Sequence, residues 1–434
     1  MTQMTRFTEE QAGTMDASRY RAMVLAGLVW LLLWTLLPVW VALQEPSLGW
    51  RFVPDPQGEG VLAYSPQRAV KIASREQAEA RLLAVRAVVP AGVQPPPVRS
   101  VALDSLWAVE APSMLRRQED LERFFELQHQ VWTLLDGARQ AGLPVEVQLA
   151  DGTWVQRGVR DHDWDELGWL FWVPLACGMV PFVVGMAVVA WRWQSMGARF
   201  LGLASVMALL SLAEVSVVTG RLGLLAPWFA EAGQVFVRCT SLVAVWAFVM
   251  LLLHYPSPMR HARFWMRASG GWLAVLLVLN VLQWPDHLEM RYKLWLVVAS
   301  AVFIGLAVAQ SLMHRHDPVH RAAARWMAAS ALVSFSVVMV AFSVSLVYDM
   351  QVVSNSYRWV SVPLLYVGLM FSVGRANLFE LERWWVPLCL WYLGGTLVVL
   401  TDLGLVALLN VDAGAAITLS LLAIGWLYFP LRQW

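Results

Sequence analysis

Three ionisable residues interrupt otherwise apolar runs: Glu214, Arg238 and Asp402. A charge at membrane depth is costly, so such residues pair inside a helical bundle or line a path for a ligand, ion or proton. Glu214 stands four residues before the end of its run, and Arg238 four residues after the start of the next. At about 1.5 Å per residue, both lie roughly 6 Å below the same surface. Antiparallel neighbours at one depth can pair. Asp402 sits roughly 10 Å deep in its own run by the same rise. Two roles stay open for the set. One is a structural ion pair, or side chains that reach back to the interface. The other is an outward-facing polar pocket, or a pair that switches.

The other chemistry-bearing groups point to solvated loops. His314, His316, Asp317 and His320 lie among Arg315, Arg321 and Arg325, where competing cations disfavour a metal and the spacing fits no standard site. Asp286, His287 and Glu289 form a similar short set. Asp161, His162, Asp163, Asp165 and Glu166 form an acidic run that marks one side of the membrane, or collects divalent cations. Cys177, Cys239 and Cys389 all fall inside apolar runs and give no disulfide or metal spacing. No nucleophile–base motif is present. No catalytic residue, metal site or cofactor is expected, and a net charge of +1 points to no nucleic-acid partner.

The elements that must hold these residues are membrane helices. Hydrophobic residues make up 58% of the chain and charged residues 15%, against about half and about a quarter in soluble domains. The excess comes in blocks of about twenty, the length that spans a bilayer. The runs are 22–43, 167–191, 200–218, 234–253, 268–282, 294–312, 326–347, 359–373, 385–409 and 415–430. The predicted fold is a polytopic α-helical membrane protein of about ten spans, with the lipid bilayer as its solvent. One small α+β extracytoplasmic domain is inserted after the first span. The predicted parts are an N-terminus at 1–21, a first helix at 22–43, the domain at 44–166, a nine-helix bundle at 167–430 and a short end at 431–434.

Within 44–166 the periodicity is informative. Residues 74–88 read as a helix, with Ala78, Leu82, Val85 and Val89 on one side. Residues 101–109 read as a strand. Residues 119–141 read as an amphipathic helix striped by Leu121, Phe124, Phe125, Gln128, Val131, Leu135 and Ala138, more a core face than a dimer face. Segments 145–149 and 154–159 alternate around Asp151-Gly152, a hairpin pattern.

Loop charge sets the orientation. Arg6, Arg19, Arg21, Arg192, Arg199, Arg260, Arg263, Arg267, Arg315, Arg321, Arg325, Arg375, Arg383 and Arg432 fall on one side; Arg221, Arg291, Lys293 and Arg358 fall on the other. Positive residues mark the cytoplasmic side. Both termini are therefore expected in the cytoplasm, and 44–166 outside, in the periplasm of a cell whose inner membrane holds the protein.

The loop between the last two pairs of runs reads Arg375-Ala376-Asn377-Leu378-Phe379-Glu380-Leu381-Glu382-Arg383. It resembles the Arg-Tyr-Arg-Leu-Phe-Asp-Ile-Asp-Arg loop of ComP-like multi-pass sensor histidine kinases. Arg375, Leu378, Phe379 and Arg383 match, Glu380 and Glu382 keep the acid, and Ala376 and Asn377 depart. Leu251–Pro256 and Phe429-Pro430-Leu431-Arg432 are weaker echoes of the same family. The resemblance implies the input half of a two-component sensor, working as a homodimer. An extracytoplasmic signal would repack its helices and so drive a cytoplasmic kinase domain or response partner. These residues contain no phospho-accepting His motif and no ATP-binding box, so kinase activity would need further chain. The rival expectation is a multi-pass transporter or channel with an extracytoplasmic domain. Against it, the Pro-interrupted runs form no matching pairs in two halves.

Overall fold

A computed structural model describes residues 17–55, 60–64, 78–88, 98–112, 115, 117–220, 226–285, 294–317, 320–322, 324–334 and 359–374. The first element is α1, Ala17–Leu43. It leads into a small domain with strands β1 (Pro46–Ser47), β2 (Arg51–Pro54), β3 (Val61–Tyr64), β4 (Ala80–Ala87) and β5 (Ser100–Ala102). Helix α2, Gln118–Gln140, follows, then β6 (Val145–Leu149), β7 (Trp154–Arg157) and β8 (Arg160–Asp161). The remaining helices are α3 (Trp169–Arg192), α4 (Met196–Gly220), α5 (Pro227–His254), α6 (Ala262–Val281), α7 (Leu294–Met313) and α8 (Ser361–Gly374).

Six helices among the described residues are long and apolar enough to cross a membrane: Arg21–Leu43, Trp169–Ala190, Met196–Thr219, Ala232–His254, Ala262–Val281 and Leu294–Met313. The chain is a multi-pass helical membrane protein with an α+β domain. Residues 324–334 are also helical, and α8 has 14 described residues. The predicted spans 385–409 and 415–430, with the rest of 326–347, lie outside the described residues. α4 is the axial helix: Ala204, Leu209, Leu212, Ala213 and Val217 are buried, and α3, α5 and α1 pack on it. α1 is the reverse, with Leu25, Leu28, Val29, Leu32, Leu33 and Leu36 exposed, the face a helix turns to lipid.

Close helix approach depends on missing side chains. A Cβ on Gly185 of α3 would stand 1.8 Å from Ser205 Oγ of α4, and one on Gly178 would meet Leu212 at 3.0 Å. The second half of the bundle closes on Phe248, Phe303, Ala307, Met327, Ala331 and Tyr366.

The domain's sheet runs β2-β3-β4-β6-β7, antiparallel throughout, with β5 paired to β4 beside β3. α2 covers one face. Its Val131, Leu134, Leu135 and Ala138 join Phe52, Val61, Leu82, Val85, Val101, Trp107, Val145 and Val147 in one core. Gln128 is buried there too, and its Nε2 donates to the Trp107 carbonyl at 2.7 Å. The hairpin turn is tied by Asp151 Oδ1, which accepts from Thr153 N at 2.9 Å and Thr153 Oγ1 at 2.6 Å. Those bonds, the hydroxyl's first, hold the Asp151 carboxyl below the usual carboxylate range. Gly152 follows at φ 85°, where a Cβ would be strained.

Two elements differ from the sequence reading. The helix expected over 74–88 is strand β4 from Ala80 onward. A register shift between Leu82 and Ala84 inserts an extra residue, so the two core-facing residues, Leu82 and Val85, stand three apart. A bulged strand thereby copies the spacing of a helical face. The strand expected over 101–109 stops at Ala102. Asp104 then takes over the backbone, with Oδ1 accepting from Trp107 N at 3.2 Å.

Candidate functional site

α4 carries a polar line on an apolar helix, and nearly every member reaches a different neighbour. Ser205 Oγ donates to Tyr366 Oη at 3.1 Å, on α8. Ser211 Oγ and Thr240 Oγ1 of α5 share a bond of 2.7 Å, and Ser241 Oγ donates to Ser211 Oγ at 3.3 Å. Thr219 Oγ1 donates to the Leu170 carbonyl of α3 at 3.2 Å. Hydroxyls of this kind lock membrane helices in register at modest energy each, about 0.6 kcal/mol on average.

Glu214 sits in the middle of this line. Its side chain is buried, and Gln234 Nε2 of α5 donates to its Oε1 at 3.1 Å. Gly233 makes room for it: a Cβ there would stand 3.1 Å from the same oxygen. Arg238, one turn on from Gln234, is equally buried, and its charge acts on Glu214. The structure thus puts Glu214 and Arg238 together on packed antiparallel helices. Gln234, which the sequence reading did not single out, bonds Glu214 from one turn before Arg238. Glu214 Oε2 and Gln234 Oε1 are buried with no hydrogen-bond partner among the described residues. Chemically, this is a small polar layer of one carboxyl, one amide and one guanidinium in an apolar wall. Asp402 and the loop residues Arg375, Leu378, Phe379, Glu380, Glu382 and Arg383 lie outside the described residues.

The layer is at the end of the bundle that carries the domain. Ala213, Val217 and Val218, beside Glu214 on α4, pack with Val39, Val41 and Ala42 of α1 and with Leu167, Phe171 and Leu175. Ala111 of the domain belongs to the same cluster, and Phe125 of α2 and Phe229 of α5 rest against it. Gln118 Nε2, at the start of α2, donates to Gln283 Oε1 beyond α6 at 2.9 Å. The domain is therefore seated on the helix ends, not tethered above them.

Its two chain crossings are drawn together. β1 pairs antiparallel with β8, Pro46 opposite Asp161 and Ser47 opposite Arg160. Ser47 Oγ donates to Glu166 Oε2 at 2.9 Å, and Arg160 Nη2 bonds Glu166 Oε1. Arg139 of α2 donates to the Gln44 carbonyl at 2.9 Å and also pairs with Asp161 and Asp136. Within the acidic run at 161–166, Asp161 pairs with Arg139, and Asp163 and Glu166 pair with Arg160. Among the described residues no three His, Cys, Asp or Glu side chains are grouped to hold a metal ion.

The histidines at the opposite end are structural in the same sense. His314 Nε2 shares a bond of 2.8 Å with Ser257 Oγ, and His320 pairs with Asp317. Gln310 Nε2 donates to the carbonyls of Leu252 at 2.8 Å and Ser257 at 3.0 Å, which pins the end of α5 to α7. Asp286, His287 and Glu289 lie outside the described residues. No protein-family model matches this chain, and neither a curated protein nor a solved structure matches it.

Proposed function

We propose that the chain is a signal-sensing membrane module, of the kind the 375–383 loop suggests: the input half of a two-component sensor histidine kinase. In this reading the domain faces the periplasm, both termini are cytoplasmic, and the chain works as a homodimer in the inner membrane. A signal at the domain, or at the polar layer beneath it, shifts helix packing. That shift reaches a cytoplasmic output domain or partner. A ligand can drive such a change only by binding one packing better than another.

The observation that carries this reading is the shared cluster in which Ala111 and Phe125 of the domain meet α1, α3, α4 and α5. A rigid element seated on several helix ends can displace them together, by small shifts at an interface. The test uses an antibody fragment raised against the domain as a surrogate signal. Binding to the full chain in nanodiscs should change amide exchange at the far end, residues 255–262 and 314–317. Phe125→Ala should keep the fragment bound and weaken that response. Unchanged exchange at the far end with every domain binder tried would end the sensor reading.

The transporter reading has one specific observation behind it, the buried charged layer of Glu214, Gln234 and Arg238. Ion or solute flux in proteoliposomes, abolished by Glu214→Gln, would put that reading first.

A further inference from the structure

His162 takes no part in the polar layer, yet it sits where the two chain crossings meet. Its side chain is 3% exposed. Nδ1 is 3.1 Å from the carbonyl of Ala42, in the last turn of α1. A carbonyl accepts only, so Nδ1 carries the hydrogen and the neutral ring leaves Nε2 as a bare acceptor. Nε2 has no hydrogen-bond partner among the described residues. It faces another acceptor, Glu166 Oε2, at 3.9 Å.

That carboxylate is already committed, through Oε2 to Ser47 of β1 and through Oε1 to Arg160 of β8. The ring thus touches the end of α1 on one side. On the other it faces the residue that ties both strands of the ribbon to the start of α3. The remaining charges around it are Asp163, which pairs with Arg160 at 2.6 Å, and across the neck Asp161, Arg139 and Asp136. Glu45, two residues before Ser47, is also buried.

We infer that His162 is a proton-operated latch: a proton on Nε2 releases the β1–β8 neck that holds the domain against α1 and α3. The protonated ring has two ways to be satisfied. It can draw Glu166 Oε2 toward Nε2–H, at the expense of the Ser47 bond, or it can turn out to water. Both undo the closed neck. Burial holds the imidazole below its ordinary value, against the smaller opposite pull of Glu166 and the Ala42 carbonyl. The closed neck therefore prefers the neutral ring. Its advantage is complete above the ordinary histidine value of about 6.5 and is lost as pH falls through the lowered one. Acidification outside the cell is the input such a latch would read. In naming that input the inference rests on the sensor reading, but the latch itself can be measured independently of the far end.

The experiment is hydrogen exchange of the full chain in nanodiscs between about pH 8 and pH 5, corrected for the intrinsic pH dependence. Amides of 44–47 and 160–167 should exchange severalfold faster on the acid side, while those of 131–138 in the domain core stay protected. His162→Asn keeps an N–H donor near the Nδ1 position and cannot titrate, so it should remove the acid acceleration. Should that variant fail to fold, His162→Gln carries the same expectation. Acid acceleration that persists in the folded variant, that is missing from the wild type, or that runs in parallel through 131–138 would overturn the latch. A working latch with a silent far end would leave this inference standing and sink the sensor reading instead.

Discussion

Gly185 contributes through the atom it lacks. Its Cβ would stand 1.8 Å from Ser205 Oγ and 3.3 Å from the Leu201 carbonyl, so α3 and α4 could not keep their present distance. Gly185→Ala should destabilise the bundle by about 1–3 kcal/mol, the usual cost of overpacking. Ser205→Gly should recover part of it, since it removes the hydroxyl and Cβ in the way. Thermal melts of both variants and the double variant would show the recovery; strictly additive losses would mean that α3 and α4 separate elsewhere. In the domain, Gln128→Leu should cost about 1–3 kcal/mol by leaving the buried Trp107 carbonyl unpaired, read as a lower melting temperature of the full chain. Some of these residues stand out in the sequence and others do not. Glu214 and Arg238 are conspicuous because a charge in an apolar run has few innocent explanations. Gln234 sits at the edge of its run, where a polar residue is ordinary. His162 looks like one more polar residue in a charged loop, and only the return of β8 to β1 buries it.

At the scale of elements, α4 and α5 are held by hydroxyl pairs, one amide and the Glu214–Arg238 charges. Removing one charge of a buried set costs more than removing both, because the survivor stays in the apolar interior. Arg238→Gln or Glu214→Gln alone should cost about 3–5 kcal/mol, and the double substitution less than the sum, as read by a double-mutant cycle on detergent melts. In the sensor reading Glu214→Gln also weakens the response, and Arg238→Gln partly restores it; a normal response from Glu214→Gln would leave the pair a structural role only. Long uniform elements were the most legible. In the stripe of Leu121, Phe124, Phe125, Gln128, Val131, Leu135 and Ala138, every residue but Phe125 is buried in the domain, and Phe125 rests half-buried against the helix-end cluster; the Asp151-Gly152 hairpin follows from its alternation. β4 was not legible as a strand, because its bulge gave Leu82 and Val85 a helical interval. Helices α4, α5 and α6 begin four to seven residues before their apolar runs, since a membrane helix continues into the interface on polar and aromatic residues.

Over the whole molecule, orientation is the property on which the rest depends. In the proposed topology the Arg-rich loops lie in the cytoplasm, and labelling checks this directly. A membrane-impermeant maleimide should modify Asp151→Cys in intact spheroplasts. It should reach Arg315→Cys only after permeabilisation, above the background of the three native cysteines. The reverse pattern would invert the proposed topology. The β1–β8 ribbon has a consequence of a different kind. Pro46 and Asp161 are ladder partners, about 5 Å apart, so the whole domain leaves and re-enters the bundle through a single narrow gate. To the helices, everything between those partners is one loop of a helical hairpin. Such a segment is a cassette: it can be exchanged for another domain, or closed by a tight turn, without changing the order or direction of any helix. Lineages could exchange the domain while the transmembrane helices stay as they are.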